Sequence, residues 1–147
     1  MNEKNFHKAL GLVTSIIAKS PEYKKSTIEL IVHWIYPAIY HEKIKIFYDK
    51  FKNPIGYITW ALLADDVIDR IINSNSLWLH ESEWNEGDNL WIIDICLPFG
   101  GIINHRKEIK KILRAHNSIN YCRVTKRKGK KILKINNGIS TEFKYIR

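Results

Sequence analysis

Asp94 lies inside an apolar run, Trp91–Gly100 (WIIDICLPFG), in which Pro98 and Gly100 precede a second glycine, Gly101. A carboxylate in an extended, largely buried segment is costly unless a neighbour stabilises its charge. Asp94 is therefore the first candidate for chemistry, against the plainer reading of a structural carboxylate that caps a turn or pairs with a lysine. His33, immediately before Trp34, is a candidate base, against the reading of an ordinary half-buried histidine. The other histidines, His7, His41, His80, His105 and His116, fall in separate elements and give no metal-ligand spacing. Cys96 and Cys122 read as buried thiols, forming neither a disulfide framework nor a zinc site. Neither a glycine-rich phosphate loop nor an HExxH pattern occurs, so no cofactor and no metal is expected.

These residues need elements to hold them. Leu10, Val13, Ile16 and Ile17 recur at near-helical spacing and predict an amphipathic helix over Phe6–Ile17. Ser20-Pro21 marks a break, since proline disfavours a helical residue before it. A second helix is expected near Ser26–Trp34, interrupted by Pro37. The period then changes: Lys43–Tyr48 alternates, Asn53-Pro54 turns, and Ile55–Leu62 returns as the second strand of a hairpin. Asp65–Ser74 reads as a short helix or an irregular return, and Asn75–Leu79 as weakly strand-like. A polar turn around Gly87-Asp88 leads into the strand Trp91–Leu97.

His105–His116 predicts a basic amphipathic helix with Ile109, Ile112 and Leu113 on its apolar side and Arg106, Lys107, Lys110, Lys111 and Arg114 exposed. Tyr121–Thr125, Lys130–Ile135 and Thr141–Tyr145 are further strands, with Lys126, Arg127 and Lys128 in a basic hairpin turn. Helices followed by a meandering sheet indicate an α+β domain, and 147 residues suffice for one domain over 1–147. No run of 18 or more apolar residues and no secretory leader is seen, so a cytoplasmic location is expected.

Charge is unevenly placed. Residues 1–103 hold 10 Lys and Arg against 13 Asp and Glu, and residues 104–147 hold 14 against 2. That asymmetry favours an anionic partner. Nucleic-acid stacking is the weaker reading, because Trp60, Trp84 and Trp91 sit where core packing accounts for them.

The chain resembles the toxin-activating lysine acyltransferases, the hemolysin-activating family that fatty-acylates RTX pore-forming toxins in the bacterial cytoplasm. The resemblance rests on Leu10-Gly11, Val13, Ser20-Pro21, Pro37-Ala38-Ile39, Tyr57, Trp60-Ala61, Trp84, Gly87-Asp88, Trp91, Ile93-Asp94 and Pro98-Phe99-Gly100. It is looser in the last third, around Arg123. It implies a GNAT-like fold, with a mixed, mostly antiparallel sheet flanked by helices, and acyl transfer from acyl-carrier protein to internal lysines of a protoxin. It also implies a catalytic histidine–aspartate pair. The aspartate carries over to Asp94, while Tyr23 stands where the family has histidine.

A tyrosine with a reference pKa of ~10 is a poor base. Either His33 substitutes for the histidine, or the reaction differs, or the chain is a noncatalytic subunit. The expectation drawn from the short C-terminus, the missing histidine and the Lys/Ile/Asn-rich composition is the siderophore-microcin branch of the family. There the protein would act with a second maturation protein, as a hetero-oligomer, to join a glycosylated catechol siderophore to the C-terminal serine of a microcin precursor. Fatty acylation of RTX protoxin lysines is the alternative. In either case Arg106, Lys107, Lys110, Lys111, Arg114, Lys126, Arg127 and Lys128 are the expected partner-binding residues.

Overall fold

The computed structural model describes residues 2–74 and 78–114 with their side chains, and the backbone of three further strands within 118–146. Helix α1 (Glu3–Lys19) begins where the Asn2 side chain accepts from the Asn5 N–H at 2.9 Å, with Glu3 in the first turn and Lys19 in the last. Val13, Ile16 and Ile17 form its buried stripe. Ser20 ends it in an extended conformation, as the following proline requires.

The second helical segment starts at α2 (Ile28–Leu30), passes through a π-helical stretch, Ile31–Ile35, and continues as α3 (Tyr36–Tyr40). Pro37 therefore does not interrupt it. Tyr36 N–H bonds to Ile31 O, five residues back, and the widened turn places Pro37 in the first turn of α3, where a missing N–H costs least.

The expected hairpin is formed by β1 (Ile44–Tyr48) and β2 (Pro54–Leu63), antiparallel. The ambiguous return after it is a helix, α4 (Asp65–Asn73). Trp78 and Leu79 are not in a strand, and 75–77 lie outside the described residues. Next come β3 (Asn89–Cys96), α5 (Arg106–Leu113), β4 (Ser118–Thr125), β5 (Gly129–Asn136) and β6 (Ile139–Ile146). The six strands form one sheet in chain order. Every neighbouring pair is antiparallel except β3 and β4, which run parallel. The architecture is thus α+β with a mixed, mostly antiparallel sheet.

Helices cover both faces. On one, Val13, Ile16 and Ile17 of α1 and Ile35 and Ile39 pack on Tyr57 and Cys96. Beside them Val67 and Ile71 of α4 pack with Ala61, Leu63, Trp84 and Trp91. On the other, His105 stacks on Phe47 at 4.4 Å between ring centroids. Trp84 and Trp91 are buried, as core packing predicted. Gly87 permits a close approach: a Cβ there would lie 2.1 Å from the Leu63 carbonyl oxygen. Among the described residues no helix is long and apolar enough to cross a membrane.

Candidate active site

Asp94 reaches its position through a strand irregularity. Thr59 pairs with Asp94 and Trp60 with Ile92, so Ile93 is the extra residue of a β-bulge. Without it, Trp91 and Asp94 would point to opposite faces. With it, both face the helical layer: Trp91 across from Ala61, Asp94 from Thr59, and Cys96 from Tyr57. Asp94 is buried at 7% exposure, yet both its oxygens are satisfied. The Tyr23 hydroxyl donates to Oδ1 at 2.5 Å, and the Tyr57 hydroxyl donates to Oδ2 at 2.7 Å.

Tyr23 is held over the strand by the turn between α1 and α2, where the Tyr23 and Lys24 N–H groups both bond to Ser20 O. Tyr57 comes from β2 as the diagonal neighbour of Asp94 on the same face. Burial raises the Asp94 carboxyl above the usual carboxylate range, opposed by the hydrogen bonds from the two phenols. Burial, then the nearby Asp94 charge, pushes both phenols far above their ordinary value, so they remain protonated donors. Burial also pushes the Cys96 thiol up to about 11, so it is a poor nucleophile at neutral pH.

A cleft of about 460 Å³ opens over this group, with Ser20 and Tyr23 on one wall and Cys96, Leu97, Pro98 and Ile102 on the other. Its far rim turns through Gly100 and Gly101, both at positive φ (71° and 85°). Tyr23 lines the cleft, and Asp94 lies behind it. The arrangement can pass a proton: a group in the cleft loses one to the Tyr23 oxygen as Tyr23 releases its own to Asp94.

Of the sequence candidates, the structure brings Asp94 and Tyr23 together. His33 is elsewhere: its half-buried ring lies against Trp78, with centroids 4.0 Å apart, and it is not among the hydrogen-bond partners of Asp94. Sequence reasoning did not assign Tyr57 a role in the site. Its only signal was its place among the residues that carry the family resemblance. Arg106, Lys107, Lys110, Lys111 and Arg114 are exposed along α5, while Lys126, Arg127 and Lys128 lie outside the described residues, as does the Cys122 side chain.

A family model for RTX toxin acyltransferases matches residues 2–137. An uncharacterized protein of Synechocystis sp. is 29% identical over 133 residues, 90% of this chain and 89% of its own length. The RTX-II toxin-activating lysine-acyltransferase of Actinobacillus pleuropneumoniae is 34% identical over 98 residues, 66% of this chain and 59% of its own. The serotype A11 leukotoxin-activating lysine-acyltransferase of Mannheimia haemolytica is 36% identical over 101 residues, 68% of this chain and 58% of its own. The chain therefore aligns with less than two thirds of the length of these two toxin-activating relatives.

Proposed function

The chain belongs to the RTX toxin acyltransferase family, and from that premise we propose that it transfers an acyl group from a carrier-bound thioester to a lysine of an RTX-type protoxin. The observation that carries this reading is the Tyr23–Asp94–Tyr57 group, in which Tyr23 lines the cleft and hydrogen-bonds the buried Asp94 behind it. In the reaction the acceptor amine attacks the thioester carbonyl, the new C–N bond forms and the C–S bond breaks. The amine proton moves to Tyr23 Oη while the Tyr23 proton moves to Asp94. The reverse path then returns a proton to the leaving thiolate. This relay answers the absence of the family histidine: Tyr23 never has to exist as a phenolate, and Asp94, with its raised pKa, is the base behind it. Tyr57 does not line the cleft; its hydroxyl holds Asp94 from behind, which makes it a positioning residue.

The microcin-branch expectation is the second reading, supported by Tyr23 in the histidine position; a serine hydroxyl fits the same relay. The relatives named as lysine acyltransferases favour the first.

The test is intact-mass analysis of a protoxin, and separately of a microcin precursor with its second maturation protein, each incubated with this chain and a matching donor. Fatty-acyl mass on protoxin lysines, lost in Asp94→Asn, supports the proposal. A siderophore-sized mass on the peptide's terminal serine selects the second reading. Product formation unaffected by Asp94→Asn in both would remove the relay.

A further inference from the structure

The surface just past the cleft combines two features. Phe99, Ile102 and Ile103 are 67%, 49% and 74% exposed, three large apolar side chains within five residues, Phe99 just before the Gly100-Gly101 turn and the two isoleucines in the short 3-10 helix Ile102–His105 after it. Immediately after them, Arg106, Lys107, Lys110, Lys111 and Arg114 recur at spacings of one and three along α5, which places them on one face of the helix. All five are exposed, while Ile109, Ile112 and Leu113 are half-buried toward the protein. The one acid of the helix, Glu108, is engaged with Lys45 at 3.7 Å and His105 at 3.4 Å.

We propose that Phe99–Arg114 docks on an anionic phospholipid surface. An exposed apolar tip beside a basic helical face has the chemistry of an interfacial segment: the tip enters the acyl boundary while lysine and arginine meet the phosphate layer. Contiguous exposed apolar surface rimmed by charge marks an interaction site. An acidic protein partner would account for the basic face but leaves Phe99 and Ile103 without a specific role. Docking in this orientation brings the membrane to the Ile102 side of the cleft.

Co-sedimentation tests this with the full chain and vesicles of phosphatidylcholine alone or with about one third phosphatidylglycerol. Binding at least ~10-fold stronger to the anionic vesicles is expected. Lys110→Glu with Lys111→Glu should remove at least ~10-fold of it, and Phe99→Ser with Ile103→Ser should abolish the part that survives high salt. All four positions are exposed, and circular dichroism checks that each double variant keeps its fold. Absence of anionic preference, or unchanged binding by the lysine variant, overturns the proposal. Binding wholly reversed by salt and indifferent to Phe99→Ser with Ile103→Ser also overturns it, and reassigns the basic face to an acidic protein.

Discussion

Replacing Tyr57 by phenylalanine removes one hydroxyl and keeps a fully buried ring in place. The lost bond is the 2.7 Å hydrogen bond to Asp94 Oδ2. A hydrogen bond to a charged acceptor contributes ~1.5–3 kcal/mol, nearly all of it to the ionised form. At ~1.36 kcal/mol per pKa unit its loss raises the Asp94 pKa by about one to two units. The direction adds to the rise that burial already causes. Because the proposed relay needs Asp94 ionised, the acid limb of the pH–rate profile should move up by the same one to two units, with the plateau recovered at higher pH to within a few fold. Tyr23→Phe gives a different signature, since the proposed relay runs through its oxygen: the plateau itself should fall ~10²–10⁴-fold. The assay is the initial rate of acyl transfer to a protoxin lysine, by mass spectrometry, between about pH 5 and pH 9. An unmoved acid limb in Tyr57→Phe, or a plateau loss equal to that of Tyr23→Phe, would refute the reasoning.

Other outcomes follow from the same geometry. Asp94→Asn should reduce turnover ~10²–10⁴-fold while leaving the fold intact. The Asp94 pKa is raised in the folded state, so its contribution to stability is fully present below the ordinary value of 3.8 and is lost as pH rises through the raised value. Urea unfolding of both proteins across pH should therefore show the wild type losing stability relative to Asp94→Asn over that window; a pH-independent difference would contradict the raised pKa. His33→Ala should leave turnover within a few fold, at a stability loss of ~1 kcal/mol from the ring contact with Trp78. A larger turnover loss would return His33 to the mechanism. Gly87→Ala should destabilise by ~3 kcal/mol or more, because its Cβ meets the backbone of Leu63 rather than a movable side chain; thermal unfolding within a degree or two of wild type would show that the turn yields.

Much of the fold was legible because its signals are local. Apolar spacing in α1, alternation in β1 and the basic pattern of α5 each arise within a few residues, and the structure has these elements with shifted ends. Asp94 stood out for the same reason, a single carboxylate among seven or more apolar neighbours. Pro37 misled because the π-helical turn before it, which lets the helical segment run on, has no mark in the apolar spacing of the sequence. The bulge at Ile93 has no sequence mark either; it is a mismatch between two strands and exists only once β2 and β3 have paired. The site itself depends most on tertiary structure. Tyr23 and Tyr57 are 71 and 37 residues from Asp94 in the chain. Sequence pattern and family resemblance marked the carboxylate and the unexpected tyrosine. Only the packing of α1 and its following turn over a bulged β3 decided that two phenols, and not His33, satisfy that buried charge, because a hydrogen bond depends on separation in space and not along the chain.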